Sequence, residues 1–169
     1  MRDKLDRLWA PWRLEYIRSA VVNPKGCFLC EALSAGDDRE RLLVHRSELS
    51  FVIMNLYPYN NGHLLVAPIR HARGLDDLAK DELSALSEHV RQAVKWLEEV
   101  YEPDGYNIGL NLGRVAGAGL PDHIHWHIVP RWDGDTNFMP VLGGAKVISE
   151  GLQASYDRIK KVAEELSGQ

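Results

Sequence analysis

The sequence predicts an α+β fold, with an antiparallel sheet, one long helix packed on it, and helices at the N- and C-terminal ends. Three observations predict it. Short apolar runs, Leu42-Leu43-Val44, Ser50-Phe51-Val52-Ile53-Met54 and Gly62-His63-Leu64-Leu65-Val66-Ala67-Pro68, follow one another with little between them. The turn segment Tyr57-Pro58-Tyr59-Asn60-Asn61-Gly62 separates the last two, so they read as neighbouring antiparallel strands. Leu83, Leu86, Val90, Val94 and Leu97 recur at threes and fours, with Tyr101 four further on, which is one face of a helix. Finally, Asp122 to Pro130 alternates histidine with Ile124, Trp126 and Ile128, the period of a strand.

Taken in order, residues 1–22 form an arm, 23–132 a core and 133–169 a C-terminal extension, all within one domain. The arm mixes Leu5, Leu8, Trp9, Trp12, Leu14, Tyr16 and Ile17 with charges. It carries two of the five Trp residues, which must be buried on its own domain or on a second subunit. Asn23-Pro24, Gly26 and Gly36-Asp37-Asp38 make residues 21–40 loop-like, with a short helix after Cys30. The long helix spans 80–101. Asp81 and Glu82 fall in its first turn, where the helix dipole favours acids, and Pro103-Asp104-Gly105 ends it. Tyr106 to Leu112 reads as a strand whose Gly109 admits a close approach to the backbone. A glycine-rich run, 113–119, leads into the histidine strand. The last helix is expected over 149–166.

The chain has 169 residues, 45% hydrophobic and 26% charged, enough for a real core. Its net charge of -4 is no electrostatic footprint for nucleic acid. No apolar run reaches the length of a membrane span, and the first residues lack a signal peptide's apolar stretch. A cytoplasmic protein with no nucleic-acid or membrane partner is the expectation.

In the alternating stretch, His123, His125 and His127 share one face, while Ile124, Trp126 and Ile128 turn to the core. Three imidazoles on one face repel if charged and need partners if buried. They can be a solvated strand, ligands of a metal, or a nucleophile flanked by histidines that orient it. The spacing alone leaves these open. Cys27 and Cys30 have metal-ligand or redox spacing, or are two buried reduced thiols; a structural disulfide is disfavoured in a cytosolic protein. His45 and His89, with no motif around them, read as surface histidines.

At His123-x-His125-x-His127 followed by two apolar residues, the sequence resembles the histidine-triad nucleotide hydrolases and transferases. Asn55, the segment Gly62 to Pro68 and the segment Gly105 to Asn111 extend the resemblance over roughly Cys27 to Trp132. The arm Leu8-Trp9-Ala10-Pro11-Trp12-Arg13 and the stretches 134–138 and 143–148 resemble the diadenosine tetraphosphate phosphorylase branch.

The resemblance implies a histidine-triad-like sheet and chemistry at the α-phosphate of a nucleotide. It makes His125 the nucleophile that forms a nucleotidyl-histidine, with a backbone carbonyl holding one ring nitrogen protonated. His127 then contacts the phosphate and bears part of its developing charge. Nucleotide binding falls to Asn55 on the ribose hydroxyls, His63 beside the triad, Asn111, and the backbone of Gly117, Gly119 and Leu120 around the phosphates. Without the resemblance, Asn55 and Asn111 read equally as turn formers, His63 as a core histidine and the glycine run as a flexible turn. Phe51, Ile53 and Leu56 are offered as neighbours of the base. Cys27, Cys30, His71 and His123 match the family members that carry zinc, a closed and therefore structural site.

One departure matters. Many hydrolases of the family carry Gln four residues before the first triad histidine, where this chain has Gly119. Simple hydrolysis is thereby weakened and phosphate becomes an eligible acceptor. The expected activity is phosphorolysis or hydrolysis of dinucleoside polyphosphates such as diadenosine tetraphosphate, by a homodimer or higher homo-oligomer. The alternatives are a nucleoside phosphoramidase and a nucleotide-binding or sensing protein without turnover.

Overall fold

The computed structural model describes residues 26–116, 123–137 and 147–167. The N-terminal arm and the run containing Gly117, Gly119 and Leu120 lie outside the described residues, as do 138–146. The elements in chain order are α1 (Phe28–Ser34), β1 (Leu43–Arg46), β2 (Ser50–Met54), β3 (Leu64–Pro68), α2 (Lys80–Tyr101), β4 (Gly105–Leu110), β5 (Trp126–Arg131) and α3 (Leu152–Ser167). The sheet is antiparallel throughout, in the order β1-β2-β3-β5-β4.

The long helix has the expected bounds. The Glu82 carboxylate accepts from the Ala79 backbone N–H at 2.8 Å, satisfying an end donor that the helix itself leaves open. At the other end Glu102 takes the left-handed conformation (φ 45°) and its N–H closes on the Glu98 carbonyl, after which Pro103 cannot continue the helix.

The pleat divides the sheet's side chains between two cores. Val52, Met54, Leu64, Val66 and Ile128 pack with Leu86, Ala93, Trp96 and Leu97 of α2 and with Tyr156 and Ile159 of α3. Leu43, Phe51, Ile53, Leu65 and Ala67 point the other way, onto Leu29 and Ala32 of α1. Strands β2 and β3 are therefore buried on both faces. Helix α1 is only seven residues long, and its core takes no residue of β5 or β4. The side chains that β5 and β4 project on that face are the ones left available for chemistry.

The turn before β3 depends on Gly62. Its φ is +70°, and a Cβ there would come within 2.8 Å of Leu97 and Tyr101. This tight passage delivers His63 to a position with no solvent exposure.

Four local expectations are corrected. The short helix begins before Cys30, because Cys27 is its N-cap and its Sγ accepts from the Cys30 N–H at 3.5 Å. The histidine strand begins only at Trp126; His123 and His125 lie in the segment leading into it. The alternation still holds there, since Ile124 and Ile128 are both in the α2 core. The last helix starts at Leu152. His89, read as a surface histidine, is 5% exposed and lies 2.6 Å from the Ser50 hydroxyl.

Candidate active site and metal centre

His123 stands at the junction of two clusters. Its Nδ1 is 3.2 Å from Cys27 Sγ and 3.5 Å from Cys30 Sγ, and His71 Nδ1 is 3.3 Å from Cys30 Sγ. The four donor atoms lie within 4.8 Å of one another. A tetrahedral zinc with bonds of about 2.0–2.3 Å has edges of about 3.3–3.8 Å; the three contacts of 3.2, 3.3 and 3.5 Å are close to such edges, and any pair nearer the 4.8 Å limit would have to draw in around an ion. His123 Nε2 lies 2.9 Å from the Pro68 carbonyl, which takes its proton and turns Nδ1 towards the thiols. Burial pushes the Cys27 thiol up to about 11. These four side chains, brought together from a helix, a loop and the run into β5, are a group that could bind a metal.

The backbone of His123 serves the second cluster. Its carbonyl lies 2.8 Å from His125 Nδ1. A carbonyl can only accept, so Nδ1 carries the proton and the lone pair of a neutral ring is left on Nε2. Burial lowers the pKa of His125, an effect the His123 carbonyl partly opposes. The ring is therefore held neutral, in a tautomer with a free in-plane lone pair.

His127 comes from β5, where it faces Leu65 on one side and Gly109 on the other. Its ring lies edge-on to His125 at 4.9 Å between centroids and nearly parallel to Tyr59 at 5.9 Å. His63 Nε2 is 3.0 Å from His127 Nδ1, and Asn111 Nδ2 lies 3.4 Å from His127 Nε2. His63 Nδ1 accepts from the Tyr59 backbone N–H at 3.1 Å. Burial first, then the neighbouring His127 and His125, hold His63 down to about 3, so it is neutral. The donor Tyr59 N–H leaves the His63 proton on Nε2, pointing at His127.

Asn55 closes the cluster at its far side. Its Oδ1 accepts from the Tyr57 N–H at 3.0 Å, the local turn that Asn is suited to, while Nδ2 lies 3.3 Å from His63 Nδ1. The turn reading and a place beside the triad are both realised in one side chain. The neighbours offered for the base fare differently. Phe51 and Ile53 are consumed by the α1 core, and Leu56 is exposed.

A HIT domain family profile matches residues 38–134. The chain belongs to the HIT domain family. AP-4-A phosphorylase of Mycobacterium tuberculosis is 41% identical to this HIT chain over 160 residues, covering 90% of this chain and 81% of that protein. The asymmetrical bis(5'-nucleosyl)-tetraphosphatase of Schizosaccharomyces pombe is 40% identical over 111 residues, 66% of this chain and 60% of that one. A hypothetical histidine triad nucleotide-binding protein of Sulfolobus tokodaii superposes with a TM-score of 0.69 at 27% identity, over 83% of this chain and 94% of its own. A Zn-bound histidine triad family protein of Mycobacterium smegmatis shares the fold, with a TM-score of 0.68 at 23% identity, over 85% and 96%.

Sequence reasoning missed two parts of this HIT site. Tyr59 was read only as a turn residue, yet its backbone sets the His63 tautomer and its ring covers His63 and His127. Arg131 is the second. It is clamped to Asp135 through Nε and Nη2 and to Asn107 through Nη1, at the end of a groove that starts at His127. The strand period already placed Arg131 on the face of His127; only its partners were hidden.

Proposed function

We propose that this HIT-family chain transfers a nucleotidyl group from a dinucleoside polyphosphate, such as diadenosine tetraphosphate, through a nucleotidyl-His125 intermediate to phosphate. The observation that carries the reading is the 2.8 Å contact between His125 Nδ1 and the His123 carbonyl, which frees Nε2. The named AP-4-A phosphorylase and asymmetrical tetraphosphatase relatives support the substrate class.

In this reading the Nε2 lone pair attacks the α-phosphorus. The N–P bond forms as the P–O bond to the rest of the polyphosphate breaks, and the leaving oxygen keeps the electron pair. His127 donates from Nε2 to the phosphoryl oxygens, where negative charge develops. A phosphate oxygen then attacks the nucleotidyl-histidine, the N–P bond breaks and its pair returns to Nε2. Diadenosine tetraphosphate would yield ATP in the first step and ADP in the second. Asn55 holds the ribose and Asn111 the phosphate. Gly117, Gly119 and Leu120 are assigned to the phosphates by their place in the sequence.

Cys27, Cys30, His71 and His123 are assigned to zinc. With four protein ligands, bound zinc braces the α1 segment against the sheet and takes no part in bond making. The same reading makes the protein a cytoplasmic homodimer or higher homo-oligomer, and sedimentation equilibrium checks the mass.

The test is incubation with diadenosine tetraphosphate, with and without phosphate. ADP plus ATP formed only with phosphate is the expected result. AMP plus ATP without phosphate would replace phosphorolysis by hydrolysis. No turnover, with nucleotide binding retained, would leave a sensor instead of an enzyme.

A further inference from the structure

The groove at His127 does not stop there. Its lining runs from Asn111, Gly109 and His127 past Val129 and Asn107 to Arg131, with Tyr59 as a wall and a volume of about 520 Å³. That is the size of a small-molecule site. Register puts Gly109 beside His127, Asn107 beside Val129 and Gly105 beside Arg131, so these pairs share the open face. Arg131 lies four residue steps along the strand from His127, a reach of about 13 Å. A Cβ on Gly109 or Gly105 would meet nothing within 4 Å. The floor is low beside His127, at Gly109, and rises at the Asn107–Val129 pair.

The far end carries a fixed cation. Asp135, whose side chain is 6% exposed, is gripped by Arg131 and also accepts from Asn60 Nδ2 at 2.9 Å and the Trp132 N–H at 3.3 Å. The Arg131 side chain is 44% exposed. Its five N–H groups make three contacts, two to Asp135 and one to Asn107. Two N–H groups, one on each Nη, have no partner among the described residues. A guanidinium held from behind, with donors left over, is pre-organised for a phosphate oxygen.

A dinucleoside polyphosphate has two halves, and Asn55, the residue assigned to the transferred nucleoside, is not part of this lining. We propose that the groove from His127 to Arg131 receives the leaving half, and that Arg131, steadied by Asp135 and Asn107, binds its distal phosphates. The inference rests on the nucleotidyl-transfer reading above and adds the basis of substrate choice. A leaving group that reaches Arg131 is bound at both ends of the groove; a small one is bound only at the triad. Selectivity for long polyphosphates then comes from β4 and β5, not from the triad itself.

The experiment compares kcat/KM for diadenosine tetraphosphate with that for adenosine 5′-phosphoramidate, whose leaving group is too small to reach Arg131. Two variants are used. Arg131→Gln removes the cation. Gly105→Glu keeps Arg131 itself and sets an acid cross-strand from it, on a position where an added Cβ meets nothing within 4 Å, and it decides the matter where Arg131→Gln folds poorly. The ratio of the two kcat/KM values is expected to fall at least about tenfold in each, the cost of one charge-assisted hydrogen bond. If the wild type turns over both substrates and Gly105→Glu leaves the ratio unchanged, the groove assignment falls and the nucleotidyl-transfer reading stands. If the wild type turns over only the phosphoramidate, or neither compound, the substrate reading fails and the groove assignment falls with it.

Discussion

His63 Nε2 lies 3.0 Å from His127 Nδ1, and this contact decides which nitrogen of His127 carries a proton. His63 is neutral, and its Nδ1 is occupied as an acceptor of the Tyr59 N–H. Its single proton is therefore on Nε2 and is donated to His127. His127 must then keep its own proton on Nε2, facing the groove, and the Asn111 carboxamide, whose Nδ2 lies 3.4 Å away, must turn its oxygen to accept that proton.

The first prediction follows from that chain of contacts. His63→Phe keeps the ring volume but removes the N–H, so His127 loses its preferred tautomer. We expect kcat to fall about 10- to 100-fold, within the range for a misplaced proton donor, with a smaller change in KM. Steady-state kinetics on diadenosine tetraphosphate checks this. A normal kcat would show that His127 is oriented without His63.

The second concerns the bond-forming atom. His125→Asn should abolish turnover while AMP binding, measured by calorimetry, stays within about threefold of wild type, because the proposed function assigns the ribose and most phosphate contacts to other residues. His127→Asn should cost less, since it removes charge stabilisation and not the nucleophile. The covalent mechanism would be abandoned if the His125 variant kept a near-normal rate.

The third concerns the metal. Purified protein should contain about one zinc per chain, because two thiols and two imidazoles offer a complete tetrahedron. Cys30→Ser should lower the melting temperature by about 5–15 °C, corresponding to a few kcal/mol for a chain of this size. Elemental analysis that finds no metal in protein prepared without chelators would count against the site.

The fourth concerns acid stability. His89 is buried between α2 and the sheet, and burial, with the nearby His45, lowers its pKa from 6.5 to about 4. Between those values the unfolded chain takes up a proton that the folded chain refuses. Stability contributed by neutral His89 is thus complete above pH 6.5 and is lost as pH falls towards 4. The slope for one proton is at most about 1.4 kcal/mol per pH unit. Urea midpoints at pH 7.5 and 4.5 should drop more for wild type than for His89→Gln. Equal drops would remove His89 as the acid-sensitive group.

Much of this protein is written in local patterns. The recurrence from Leu83 to Tyr101 determines α2 because a helix must bury one stripe, and Pro103 ends it because it has no N–H to give. The alternation of Ile124, Trp126 and Ile128 with histidines determines which side chains enter the α2 core, even where the backbone has not yet joined the sheet. The Cys-x-x-Cys spacing marks two donors of a cluster that could bind a metal. These are properties of residues within one or two turns or strands of each other, where period and spacing act directly.

The rest was decided by packing between distant segments. No spacing rule brings His71 and His123 to Cys27 and Cys30, or sets Tyr59 over His127; the sheet order and the turn at Gly62 do that. His89 reads as a surface residue because no motif surrounds it, but it shares a helix face with the buried Leu86 and Ala93, and Ser50 of β2 supplies the partner that makes its burial tolerable. Phe51 and Ile53 looked free for a ligand because a strand's two faces cannot be ranked from its own sequence, and α1 covered the face that they occupy. The sequence by itself determined the elements, their apolar faces and the chemical groups available. Tertiary structure alone decided the tautomers, the clamp on Arg131 and the stretch of sheet left open, because each depends on which polar atom from a remote segment arrives within hydrogen-bond distance.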